Sequence, residues 1–193
     1  MSGELCRATW AAAGVHQRAR TLDEAFPECF CESWSLVAEA ESPVGGDERL
    51  ARILTTPGSY DAGELLTQKL TAAWAGGVSV IRSGASDAEI RGTVEQLLNN
   101  IQDPQSLLGA VVFTGSEVST LGAPERHFGA YHTPAPNKTH HADILATVPA
   151  GSKSQQKRSE TLRRRDLRDL LQPKIIFEPD VDGLIEKLRL EGL

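Results

Sequence analysis

The stretch GAVVFTG, residues 109–115, restricts the fold more than any other in the chain. Ala110, Val111, Val112 and Phe113 form an unbroken apolar run rich in β-branched residues, which favours a strand. Successive strand side chains point to opposite faces, so a strand apolar throughout must be covered on both sides. Helices packed on both faces of a parallel sheet supply that cover.

The surrounding pattern extends this reading. Residues 78–82, VSVIR, are short and β-branched, and Ser86 with Glu89 has capping-box spacing ahead of Ile90, Val94, Leu97, Leu98 and Ile101. The spacing predicts strand 78–82, helix 87–101 and strand 109–114, a βαβ unit. Upstream, Asp61 and Glu64 predict a helix that carries Leu66, Leu70, Ala73 and Trp74 and ends at Gly76 and Gly77. Further back, CESWSLVAEA from Cys31 reads as a strand, ESPVGG (41–46) as a loop, and DERLARIL from Asp47 as a short helix. From Lys174, KIIFEPDVDGLIEKL predicts a buried strand, an N-cap at Asp180 and a helix burying Val181, Leu184, Ile185 and Leu188. The expected architecture is α/β: a mixed sheet with a parallel βαβ core, an added β-hairpin (about 127–148) and flanking helices, in one domain spanning 1–193.

Composition agrees with a folded chain, at 40% hydrophobic and 24% charged residues. The apolar run 8–15 is too short and too basic on its C-terminal side for a leader or a membrane span, so the expectation is a cytoplasmic protein with no membrane partner. Cys29 and Cys31 are one residue apart, which suits neither a relaxed disulfide nor a zinc knuckle, and Cys6, Cys29 and Cys31 are expected as reduced thiols.

Four of the five histidines fall within RHFGAYHTPAPNKTHHADIL, residues 126–145. Two strand-like segments flank APNKT, whose Pro136 and Asn137 suit a hairpin loop. In a regular antiparallel ladder Tyr131 stands opposite Asp143, His132 opposite Ala142 and Ala130 opposite Ile144. One face then holds Phe128, Ala130, Ile144 and Ala146, with His132 and His140 near the turn; the other gathers His127, Tyr131, Thr133, His141 and Asp143. An Asp two residues from a His on one strand face can orient the imidazole and raise its basicity. His141 is therefore the candidate general base, Asp143 its orienting partner, and Tyr131 and Thr133 further contacts. A solvated polar sheet face is the plain alternative. His132 and His140 are diagonal and lack further ligand partners, which favours hydrogen-bonded or edge-exposed roles over zinc.

The formal charge of −6 is unevenly spread. Residues 153–169 carry seven bases and three acids, a local +4 that leaves −10 on the rest. Arg164 and Arg168 in this segment, with Lys138 in the hairpin loop, are the candidate phosphate contacts. A basic helix lying on an acidic body, or docking an acidic protein partner, explains the same asymmetry. Ligands of open α/β sheets gather beyond the carboxyl ends of the strands. There Glu117, Glu178 and Asp180 would converge, and Glu117 with Asp180 forms a candidate site for a divalent metal ion such as magnesium. Together these features predict a hydrolase of a phosphate ester or nucleic acid; the alternative is a non-catalytic accessory or adaptor protein.

Overall fold

A computed structural model describes residues 3–26, 31–37, 42–99 and 104–193. Cys29, Ala38, Glu41 and Ile101, which entered the sequence reading, lie outside the described residues. The elements in chain order are α1 (Gly3–Ala12), α2 (Arg18–Ala25), β1 (Arg49–Thr56), β2 (Tyr60–Asp61), β3 (Glu64–Leu65) and a 3₁₀ helix (Thr67–Trp74). Then follow β4 (Val78–Arg82), α3 (Asp87–Leu98), β5 (Ser106–Thr114), α4 (Gly115–Ser119), β6 (Phe128–His132), β7 (His141–Ala146), α5 (Lys153–Leu171), β8 (Ile175–Phe177) and α6 (Val181–Leu190).

Six strands form one sheet in the order β6-β7-β4-β1-β5-β8. Every neighbouring pair is antiparallel, so the expected parallel βαβ core is corrected to an antiparallel one. The reason is β1. Strands β4 and β5 share the sheet and point the same way, because each is antiparallel to β1, but β1 lies between them and no parallel ladder forms. The expected helix over DERLARIL is this central strand. Leu50, Ile53 and Leu54 have a spacing that suits a helix, but the chain is covered on both sides: Leu50 and Leu54 pack into one core layer, Ala51 and Ile53 into the other.

The first layer joins Val111, Phe113, Phe128, Ala130 and Ile144 to Leu167 and Leu171 of α5 and to Leu70 and Ala73 of the 3₁₀ helix. The second joins Ala110 and Val112 to Ile90 and Val94 of α3 and to Leu184, Ile185 and Leu188 of α6. Beside it, α1 and α2 cover β6 and β7 on the side of Tyr131 and Leu145. The two-sided cover read from GAVVFTG is thus present without the parallel topology that first suggested it.

Local signals fared unevenly. The Ser86 capping box is formed, with Glu89 N donating to Ser86 Oγ and Ser86 N to Glu89 Oε2. At Asp61 and Glu64 no capping box forms; the two residues pair across the small β2–β3 hairpin, and the helical turn that follows is 3₁₀. Cys31 opens a short 3₁₀ turn (Cys31–Ser33), where a strand was expected. The terminal strand β8 is an edge strand with Phe177 55% exposed, so it is not buried as expected.

Cys6 and Cys31 form a disulfide with Cα atoms 5.9 Å apart, which corrects the expectation of reduced thiols for both. Their separation of 25 residues gives no local signal; the packing of α1 brings them together. Disulfides of this kind are commonest in oxidising settings, whereas the expectation of a cytoplasmic chain rests on the apolar run 8–15. Among the described residues no helix is long and apolar enough to cross a membrane.

Candidate functional site

The hairpin register agrees with the sequence reading: Tyr131 pairs with Asp143, His132 with Ala142, and Ala130 with Ile144. On its other side β7 pairs with β4, setting Ser79 opposite Asp143 and Ile81 opposite His141. His141, Asp143, Thr133 and Ser79 therefore gather on one sheet face.

Their hydrogen bonds form a directed chain. Thr133 Oγ1 donates to Asp143 Oδ2 at 2.8 Å, and Ser79 Oγ donates to Asp143 Oδ1 at 3.2 Å. His141 Nδ1 lies 2.8 Å from the Thr133 carbonyl oxygen, an acceptor that keeps a proton on Nδ1 and leaves Nε2 as the nitrogen that can take up or give up a second one. Asp143 Oδ2 stands 3.9 Å from the same ring nitrogen, so the carboxylate acts on the imidazole by charge while the Thr133 carbonyl orients it. Burial pushes the Asp143 carboxyl above the usual range, against the pull of His141 beside it. Gly77 contributes by its absence of side chain: at φ +111° an added Cβ would lie 2.4 Å from Asp143 Cβ.

Tyr131 shares the face but faces other partners. Its hydroxyl accepts from Arg126 Nη2 at 2.5 Å, its ring packs with Cys6 and Trp10 under α1, and burial pushes its pKa to about 12. His132 and His140 take the roles expected of them. The buried His132 has Nε2 3.0 Å from the Thr139 carbonyl, and the more exposed His140 has Nδ1 3.0 Å from Glu89 Oε2.

The opening that gives this face access to solvent comes from the seam between β1 and β4. Only Leu50 with Arg82 and Ala51 with Ile81 pair there, although β1 runs on to Thr56 and β4 starts at Val78. Beyond these pairs the strands part, and a cleft of about 390 Å³ opens. Arg52 Nη1 fills part of the gap, donating to the Ser79 carbonyl at 3.2 Å. Loss of hydration lowers the Arg52 pKa to about 10, with Asp143 opposing the shift, and the group stays cationic at neutral pH. Lys69, Lys138 and His141 line the same cleft with Ser59, Ser79, Thr55, Thr93, Gln96 and Gln105. No Asp or Glu is found among its described lining residues. In a chain of net charge −6 this is a local cationic field with hydrogen-bonding walls, suited to an anion.

Of the residues singled out from sequence, the structure brings together His141, Asp143 and Thr133, and it places Lys138 beside them on the cleft wall, bonded to Gln96. Arg164 and Arg168 lie elsewhere, on α5 over the other sheet face. Arg164 donates to Thr71 and Thr161, and Arg168 to Asp169. Glu117 and Asp180 do not meet. Strand β8 is antiparallel to β5, so Asp180 follows a strand end at the edge of the sheet opposite Glu117. Glu117 closes the Thr114 capping box and pairs with Lys174 at 2.7 Å; Asp180 caps α6 through Gly183 N at 2.8 Å. These residues do not fit a magnesium site, and among the described residues no group of three or more His, Cys, Asp or Glu could hold a metal ion.

Arg52, Lys69 and Ser79 escaped the sequence reading. The available signal was Arg52 itself, a charge inside an otherwise apolar strand, and it was hidden by the helical reading of that segment. No family model, curated protein or solved structure matches this chain.

Proposed function

We propose that the chain is a hydrolase of small phosphate esters, working in the β1–β4 cleft with His141 Nε2 as its general acid–base group. The observation that carries this reading is the convergence of Arg52, Lys69 and Lys138 on a cleft that His141 also lines, with no carboxylate among the described lining residues. A phosphoryl group needs such donors for its equatorial oxygens, and the positions of these three allow them to act as charge and hydrogen-bond partners. The cleft volume suits a small-molecule ester. A nucleic-acid substrate has less support, since Arg164 and Arg168 are on the other face and engaged with protein partners.

The test is a panel of phosphomonoesters and phosphodiesters assayed for phosphate release, with inorganic phosphate binding followed by calorimetry. Arg52→Ala is expected to weaken phosphate binding by ~10-fold or more, the scale of one charge-assisted hydrogen bond. His141→Ala is expected to lower kcat by ~10²-fold while melting with the wild type. A wild-type chain that turns over no ester overturns the reading, whether or not it binds phosphate. It would return the question to the adaptor alternative, in which the exposed Lys153, Lys157, Arg158 and Arg165 of α5 contact an acidic partner.

A further inference from the structure

We propose that Ser79 is the nucleophile of the cleft, attacking the phosphoryl group to form a phosphoserine that water then hydrolyses; this rests on the phosphate-ester reading above. Among the described residues, four hydroxyl side chains line the cleft: Thr55, Ser59, Ser79 and Thr93. Three of them direct their protons at neutral acceptors. Thr55 donates to the Gln105 amide oxygen, Ser59 to the Thr55 carbonyl at 3.2 Å, and Thr93 to the Glu89 carbonyl at 2.9 Å. None of these acceptors can take a proton at neutral pH.

Ser79 differs on two counts. Its Oγ donates to a carboxylate, Asp143 Oδ1, at 3.2 Å, and that carboxylate is itself fixed by Thr133 at 2.8 Å. A nucleophile within reach of a base that a third group orients is the arrangement activated hydroxyls use. Ser79 is also exposed to the cleft, and Arg52 holds its carbonyl oxygen at 3.2 Å, which puts a guanidinium next to the place where a phosphoryl group would meet Oγ. Burial raises the basicity of Asp143 in the direction a proton acceptor needs.

The two steps balance. In the first, a bond forms between Ser79 Oγ and phosphorus while the bond from phosphorus to the ester oxygen breaks. The serine proton passes to Asp143, and the departing alkoxide takes a proton from His141 in its protonated form. In the second, water attacks phosphorus and gives a proton to His141. The bond to Ser79 Oγ breaks, and Asp143 returns the proton to the serine. The net products are an alcohol and inorganic phosphate, with all three side chains restored.

Phosphorus stereochemistry decides the matter, using a chiral ester of the best substrate found in the panel and the full-length protein. Two displacements give retention; direct attack by water gives inversion. Acid-quenched turnover is also expected to leave the mass of one phosphoryl group on the peptide that carries Ser79. Ser79→Ala is expected to lose ~10³-fold or more in kcat with unchanged phosphate affinity and melting, because the side chain is exposed and small. Asp143→Asn is expected to slow formation of the phosphoserine; His141→Ala slows both steps with an alkyl ester, and lets the phosphoserine accumulate with an aryl ester, whose leaving group needs no proton. Turnover with inversion, or with full rate in Ser79→Ala, overturns the serine and leaves the phosphate-ester reading standing. No turnover of any ester overturns both.

Discussion

The two ends of the β1–β4 seam each carry an arginine, and the two have opposite surroundings. At the closed end Arg82 is 9% exposed and makes four hydrogen bonds with its five N–H donors: Nε and Nη2 reach Glu48 at 2.7 and 2.9 Å, and Nη1 and Nη2 reach the carbonyls of Ser42 and Pro43. At the open end Arg52 has one carbonyl and, among the described residues, no carboxylate within ion-pair distance. A planar guanidinium with four of its five donors taken and a carboxylate paired to it staples a loop to a sheet; one with a single bond in a dehydrated gap attracts an anion. The same side chain is structural at one place and available for binding about half a strand away, and what separates the cases is the count of acceptors supplied by neighbours.

That contrast can be broken most forcefully at Glu48. Glu48→Ala leaves the Arg82 charge buried with only carbonyls for company and is expected to cost about 3 kcal/mol or more in a denaturant titration. A loss below about 1 kcal/mol would show that the closed end is not held by this pair, and the contrast with Arg52 would lose its basis.

A smaller effect tests what holds the hairpin loop, with Lys138, against the cleft. Burial alone would raise the Glu89 carboxyl, but bonds from Ser86 N, Thr139 Oγ1 and His140 hold it down to about 2. A folded pKa below the ordinary 4.5 means the folded state binds fewer protons than the unfolded state between those values. The stabilisation is therefore complete above about 4.5 and is lost as pH falls toward about 2. Glu89→Gln is expected to flatten the stability profile in that window, read from urea midpoints, and to leave phosphate affinity at neutral pH within about twofold. An unchanged profile would mean that other carboxylates govern the acid limb.

The least effect is expected on α5. Arg164→Ala with Arg168→Ala should leave phosphate affinity in the cleft unchanged and cost no more than about 1 kcal/mol in stability, since exposed pairs contribute little. A large loss of affinity would put the anion site on α5 and demote the cleft.

What could be read from the chain was local, and its successes share a cause. The Ser86 capping box, the hairpin register around Asp143 and the amphipathic α6 each depend on residues near one another in sequence. GAVVFTG demanded cover on both faces, and that demand was met. At 47–54 the local signal was ambiguous: apolar residues at 50, 53 and 54 satisfy a helix as well as a two-sided strand, and the choice fell to the neighbours. With β1 misread, the parallel core followed as an error, because it assumed that β4 and β5 were adjacent; the converging strand ends failed separately, because β8 runs antiparallel to β5.

The candidate site divides along the same line. Sequence alone determined that Thr133, His141 and Asp143 share a face, because a two-residue alternation and a loop length fix a hairpin's register. It also determined that the chain would bury a sheet on both sides. Only the tertiary structure decided that Ser79 and Arg52 would join them, that Cys6 would reach Cys31, and that Glu117 and Asp180 would be kept apart. Strand order and the parting of β1 from β4 arise from packing between segments distant in sequence, and no local periodicity encodes which strand lies beside which.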